Sequence, residues 1–234
     1  GMATAYSESS LAQLFKIKVA DGYRGGPAFY ISKGLNLPWL AAIFSVCLLI
    51  SFGLVFNAVQ TNSMADAFVV AFDIPKYATG LIVAALAGIV IFGGIRQVAR
   101  VAEILVPFMA AAYILMAIYI ILTNLNYVPT VFSAIFRSAF GLDATIGGIF
   151  GGMAAAMLNG VKRGLFSNEA GMGSAPNIAA AATPSPHHPS SQGFVQAFGV
   201  VIDTLLVCSA TAFMILIADV LKPGSGVTGI QLTQ

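Results

Sequence analysis

An all-α polytopic membrane protein is the fold class that this sequence predicts, and three observations carry the prediction. The chain is 58% hydrophobic and only 9% charged, against about 25% charged in an ordinary soluble domain. Residues 34–65, 77–95, 104–136, 144–161, 170–202 and 204–218 hold no Lys, Arg, Asp or Glu, and a helix needs roughly 20 mostly apolar residues to cross a bilayer. Stretches such as Ile104–Met116 are apolar all round, whereas strands of a membrane barrel would alternate polar and apolar over roughly ten residues. The net charge of +2 is too small to point to nucleic acid.

The elements follow in order as one transmembrane domain over residues 1–234. Residues 1–15 read as the end of a helix leaving the membrane. A loop over 16–36 carries Lys16, Lys18, Arg24 and Lys33 and is broken by Gly25-Gly26-Pro27. The first full span begins at Leu37-Pro38, where proline suits a first helical turn, and runs to about residue 68, long enough for a tilted helix. After the turn Asp73-Ile74-Pro75-Lys76, a second span covers 78–93 and stops at Gly93-Gly94. The third span is 101–123, with Arg100 and Glu103 three apart at its start, spaced for an interfacial ion pair. Residues 124–142 read as a loop with a short surface helix. The stretch 143–183 is apolar but interrupted, Thr183–Pro189 is a proline-rich loop, and the last span is 191–221. Cys47 and Cys208 fall inside apolar spans, where a small buried thiol is expected and a disulfide is not. Neither end of the chain has the look of a natural terminus, so it is expected to be the interior of a longer protein.

Lysine and arginine set the orientation. The loops at 16–36 and 94–100 are the basic ones and are assigned to the cytoplasm, which makes the first span run outward, the second inward and the third outward. The interrupted stretch has two readings. Either 143–160 crosses inward and Lys162-Arg163 mark the cytoplasmic interface, or 143–160 lies along the outer face and 164–183 is the crossing, broken at Ser167–Gly173. The first obeys the positive-inside rule; the second, preferred here, sets the polar residues at depth. Both place 184–190 in the cytoplasm.

That broken run, Gly164-Leu165-Phe166-Ser167-Asn168-Glu169-Ala170-Gly171-Met172-Gly173-Ser174-Ala175-Pro176, is the main candidate site. Irregular polar backbone survives at membrane depth only where it is buried in protein or lines a wet cavity. One reading is a broken helix whose freed N–H and C=O groups, helped by Ser167, Asn168 and Glu169, hold a small zwitterion and a cation. The plainer reading is an interfacial loop with Glu169 capping a helix. Asn57 and Gln60, three apart on the first span, share a face and could look into one cavity or act as helix–helix glue. Asp203, deep in the last span beside Thr204, costs several kcal/mol unless paired or wet, so it is a cation or proton group or a brace for the broken helix. His187 and His188 lack partners at metal-ligand spacing and read as a solvated loop. No phosphate-binding loop, His-Glu-x-x-His or nucleophile-elbow sequence is present.

With these blocks in view, the chain resembles the alanine or glycine:cation symporter family, the sodium:alanine symporters. The resemblance is carried by the 164–176 run and by Gly1-Met2-Ala3-Thr4 with Ser7-Glu8, Gly25–Ile31, Asn57 with Gln60–Ser63, His188-Pro189 with Gln192-Gly193, Ile202-Asp203-Thr204 and Gly229–Gln234. It implies a partial LeuT-type bundle of two inverted five-helix repeats, here core helices three to seven with a broken sixth, preceded by the end of the second at 1–15. Substrate and ion would meet near the bilayer midplane. Ala5 departs from the basic residue the family leads one to expect, at a position assigned to a loop away from the site. The resemblance implies sodium-coupled symport of alanine or glycine across the plasma membrane. Asn57, Gln60, Phe166, Ser167 and Asn168 would meet the substrate, Glu169, Asp203 and Thr204 would serve the ion or brace the broken helix, and Gly164, Gly171 and Gly173 would give the break its backbone freedom. Small residues at Gly151-Gly152-Met153 and Gly171-Met172-Gly173 would keep the cavity small. No cofactor is expected beyond Na+ as coupling ion; lipid and the core helices absent from this chain are the other expected partners. The rival readings are proton coupling through Glu169 or Asp203, an intramembrane enzyme with Glu169 as general base, and a chain that serves only as a packing partner.

Overall fold

The computed structural model describes residues 1–20, 22–139, 157–158, 160–161, 164 and 166–218. The described part is almost wholly helical, as a chain with so few charges requires: in hydrocarbon, a helix satisfies its own backbone donors and acceptors. Residues 140–156, on which the alternative for the interrupted stretch turns, lie outside the described residues, as do Gly151-Gly152-Met153, Lys162-Arg163, Leu165 and the end of the last span beyond 218.

The chain divides into two compact units, Gly1–Val55 with Arg137–Leu206, and Phe56–Phe136 with Val207–Gln234. In the first, helix α1 (Met2–Leu14) buries Ala5, Ser9, Ala12 and Gln13, a stripe of small and polar side chains along one face. Residues 16–36 are not the loop that their charges predict. They form a hairpin, β1 (Ile17–Val19) and β2 (Gly22–Arg24), with Ile17 opposite Arg24 and Val19 opposite Gly22, and then helix α2 (Pro27–Gly34). β-Branched Ile17 and Val19 favour the strand, and Pro27 at the first helical position favours the helix.

Helix α3 (Pro38–Phe72) is continuous through a π turn at Ser51–Phe56, and it runs beyond the span end expected near residue 68. Helix α4 (Lys76–Ile91) begins after Asp73, whose left-handed φ of 55° closes α3. Helix α5 (Ile95–Thr123) accommodates Pro107. A 3-10 turn (Leu125–Tyr127) leads into α6 (Val128–Ala139), the short helix expected in the 124–142 connection. The described residues between 157 and 168 are helical. They are followed by an irregular turn, by α7 (Ala175–Ala181), and by α8 (Pro189–Ile217), which carries a π turn at Asp203–Cys208. Helices α3, α5 and α8 are long and apolar enough to cross a membrane, and α4 is apolar but shorter. Exposed Leu49, Leu54, Ile104 and Phe108 on these helices demand hydrocarbon or other helices around them. The chain is an integral membrane protein.

Small residues let the first unit pack tightly. α1 lies against α7 and α8. Gly193 of α8 sits so close to α1 that an added Cβ would come within 2.9 Å of the Tyr6 carbonyl oxygen. Tyr6 and Phe194 meet edge-to-face at 5.0 Å beside it. The C-terminal end of α7 is closed by α1 and the hairpin. Gln13 Nε2 donates to the carbonyls of Ala179 and, at 3.0 Å, Ala182. Lys16 Nζ donates to Ala182 O at 3.0 Å and Gln13 Oε1 at 2.6 Å and lies 4.3 Å from the centre of the Tyr23 ring. Burial lowers the Lys16 pKa from its ordinary value. A cation at the last carbonyls of a helix also meets the negative end of its dipole.

In the second unit, Tyr113 of α5 and Thr211 of α8 share a hydrogen bond of 2.6 Å, and Phe132 of α6 packs on Phe213 at 5.1 Å. Asp66 pairs with Lys76 at 2.5 Å and accepts from Asn62 Nδ2 at 3.1 Å, so it ties α3 to the start of α4. The ion pair expected between Arg100 and Glu103 is not formed. Cys47 and Cys208 are free thiols, but Cys47 is exposed, not buried, because its side of α3 also presents exposed Ile43, Val46 and Ile50.

Gln13→Leu, which removes one of the donors to the Ala179 and Ala182 carbonyls and the Lys16 acceptor, is expected to destabilise the protein by about 1 kcal/mol. Exposed Lys18→Ala should stay within about 0.5 kcal/mol. Thermal unfolding of the detergent-solubilised full-length protein compares the two.

Candidate functional site

The site grows from a helix that stops early. Glu169, with φ of 48°, is in the left-handed region, and Gly171 and Gly173 follow at 84° and 82°. Three such residues within five positions cannot continue a right-handed helix. Gly173 has a second reason to be glycine: a Cβ there would lie 2.5 Å from Cζ of Phe44 and 3.1 Å from Cγ of Pro27. The turn is closed locally. Glu169 N–H donates to Phe166 O and Met172 N–H to Glu169 O, both at 3.3 Å, and Asn177 Nδ2 donates to Gly173 O at 2.7 Å. The Glu169 carboxylate accepts from the Ser174 hydroxyl, so it ties the two ends of the turn together and is not the helix cap of the plainer reading.

The end of the helix before the break is gripped from α8. Ser167 Oγ donates to Asp203 Oδ2 at 2.7 Å. One residue on, Asn168 Nδ2 donates to Gly164 O at 2.8 Å and Thr204 Oγ1 at 3.1 Å, and the Thr204 hydroxyl returns a longer bond to Asn168 Oδ1 at 3.4 Å. Asp203 and Thr204 open the π turn of α8, a distortion found mostly at functional positions. Consecutive residues on one element thus meet consecutive residues on the other.

A cavity of about 240 Å3 opens beside these pairs, and its walls include Ser167, Asn168, Glu169 and Asp203. Among the described residues, three carboxylates, Glu8, Glu169 and Asp203, line it and no Lys or Arg does. A wider cavity of about 470 Å3 lies on the Thr204 side and is bordered by Val161, Gly164 and Asn168. The arrangement offers negative charge and hydroxyl, amide and carbonyl oxygens, which together suit a cation or an ammonium group.

Sequence reasoning thus named Ser167, Asn168, Glu169, Asp203 and Thr204, which the structure brings together with Gly164, Gly171 and Gly173. Phe166 is exposed on the helix just before the break. Asn57 and Gln60 lie on α3 in the second unit, three residues apart and both exposed. Glu8 and Gln196 were missed as cavity residues; a carboxylate in an otherwise uncharged helix was the available signal for Glu8. Ala5, assigned to a loop away from the site, is instead buried on α1 and lines the cavity. The histidine loop is as expected: His187 and His188 are exposed, and His188 Nδ1 caps α8 by accepting from Ser190 N–H at 3.2 Å.

Two measurements probe this geometry. A double-mutant cycle of Ser167→Ala and Asp203→Ala, read by thermal unfolding, should show a coupling of about 0.5–3 kcal/mol; additivity would mean that the bond carries no weight. Gly173→Ala should lose about 1–2 kcal/mol from backbone conformation alone, with the Phe44 contact adding to it, whereas Gly53→Ala, whose Cβ would meet open space, should lose little.

The likeness to known proteins covers the whole chain. The sodium:alanine symporter family profile matches residues 1–234. The chain is 49% identical over 234 residues to the "Probable sodium/glutamine symporter GlnT" of Bacillus subtilis (strain 168), covering 100% of this chain and 48% of that protein. It is 47% identical over 234 residues to the "Amino-acid carrier protein AlsT" of the same organism, covering 100% of this chain and 49% of that protein. Against the "Sodium/proton-dependent alanine carrier protein" of Bacillus sp. (strain PS3) it is 45% identical over 216 residues, covering 92% of this chain and 47% of that protein. The chain spans about half the length of the curated relatives it matches. These relatives are symporters and carriers, not enzymes, sodium fits as the coupling ion, and no cofactor is indicated. A sparsely charged, helical membrane chain with a gripped helix break, matched over residues 1–234, belongs to the sodium:alanine symporter family.

Proposed function

We propose that the protein containing this chain couples inward sodium movement to uptake of a small neutral amino acid, alanine or glycine, across the plasma membrane. The observation that carries this reading is the helix break at 169–174, whose approach is held by Asp203 and Thr204 beside a cavity lined, among the described residues, by three carboxylates. Such a wall favours a sodium ion and the ammonium end of a zwitterion. At about 240 Å3 the cavity falls below the roughly 300–1,000 Å3 of drug-sized pockets, in keeping with a substrate of few atoms.

In this reading Phe166, Ser167 and Asn168 meet the substrate, with Asn57 and Gln60 contributed from α3. Asp203 and Thr204, with Glu169, serve the ion or hold the broken helix for it. Each ligand stabilises the same closed arrangement, so each raises the affinity for the other. The architecture is a LeuT-type bundle with this chain as core helices three to seven and the remaining core helices and lipid around it. The hairpin and helix of 16–36, the start of α5 at 94–100, which is helical from Ile95 and not the expected loop, and the 184–190 connection face the cytoplasm. The names of relatives support a second reading of substrate and ion: one is called a sodium/glutamine symporter and another sodium/proton-dependent.

The test is uptake of labelled alanine by the full-length protein in proteoliposomes, under a sodium gradient or a pH gradient, with glycine and glutamine as competitors. Sodium-driven uptake blocked by glycine is the expected result. Uptake without sodium that follows the pH gradient, or blocked by glutamine alone, would favour the second reading. Asp203→Asn and Asn168→Ala should each raise the half-saturating sodium concentration about tenfold, the equivalent of about 1.4 kcal/mol; unchanged values would remove both from the site.

A further inference from the structure

The turn at 169–174 is gripped from a second side. Where the backbone turns left-handed at Gly171, its N–H has left the helical ladder, and it donates to the Glu8 carboxylate, Oε2, at 3.3 Å. Glu8 is half-buried on α1, 163 residues away in sequence, and it lines the 240 Å3 cavity together with Ala5 one helical turn earlier. Among the described residues no Lys or Arg pairs with it. Its charge is felt on α2, where burial first and then Glu8 push the Tyr30 phenol up to about 12. Hydrogen bonds to an ionised partner are stronger than neutral ones. Among the described residues, Glu8 supplies the side-chain acceptor that reaches the turn from another helix, whereas the Asp203 and Thr204 contacts hold the residues before it.

We propose that Glu8 is a positioning residue for transport: its carboxylate, by accepting the Gly171 N–H, holds the 169–174 turn in place and so fixes Ser167, Asn168 and the turn carbonyls around the cavity. The proposal rests on the functional reading above only for its transport consequence.

The experiment compares Glu8→Ala and Glu8→Gln in the full-length protein by amide hydrogen exchange without substrate or sodium, and by alanine uptake. In Glu8→Ala, exchange of the peptide covering 169–174 should quicken about tenfold or more while peptides of α1, α7 and α8 keep their protection, and half-saturating alanine should rise about tenfold. Glu8→Gln, which keeps an acceptor oxygen but no charge, should fall between wild type and Glu8→Ala in both readouts. Unchanged 169–174 exchange in Glu8→Ala overturns the proposal. So does equal quickening across α1, α7 and α8, which is the mark of general loosening. If the wild type transports no amino acid while Glu8→Ala still opens 169–174 selectively, the functional reading fails and the positioning role stands.

Discussion

Everything in the first unit is organised by one constraint: a polar backbone that leaves its helix inside an apolar chain must be given new partners. Residues 169–174 leave the helix because Glu169, Gly171 and Gly173 are left-handed. The replacements come from named side chains. Glu8 takes the Gly171 N–H, Ser174 and Glu169 close the turn on itself, and Gln13 and Lys16 take the carbonyls where the following helix, α7, ends. Without these partners the break would be a row of unsatisfied groups; with them it is a defined cavity wall.

The same constraint explains the composition of the neighbours. α1 and α8 present small residues where they touch, so that backbones approach closely enough for short polar side chains to reach across. Gly193 beside Tyr6 is one such close approach, and Gly173 beside Phe44 of α3 is another in the same unit. Polar residues placed one after another, Ser167 with Asn168 and Asp203 with Thr204, then pair in register. Bulky residues at the glycine positions would separate the helices and strand those pairs.

Charge placement links this scaffold to transport. A carboxylate within an apolar helix is expensive unless a partner or a ligand offsets it, and Asp203, Glu169 and Glu8 each have a neutral donor from serine or backbone. Carboxylates on a cavity wall are compatible with membership of a sodium:alanine symporter family.

The sequence by itself determined the helical membrane class and the position of the helix break, and it singled out Ser167, Asn168, Glu169, Asp203 and Thr204, which the structure brings together. These are local signals: long uncharged runs, glycine-rich polar residues in an apolar setting, and a lone aspartate in a span. It misread what depends on distant contacts. Residues 16–36 looked like a loop because charge and glycine outweighed the strand preference of Ile17 and Val19, and only packing beside α1 and α7 revealed the hairpin's use. Glu8 looked like part of a family block and Ala5 like a loop residue, since nothing near them in sequence announces a cavity. Only the tertiary structure could decide which carboxylate meets the Gly171 N–H, because that partner lies 163 residues away and hydrogen bonds across helices follow from helix packing, not from sequence spacing.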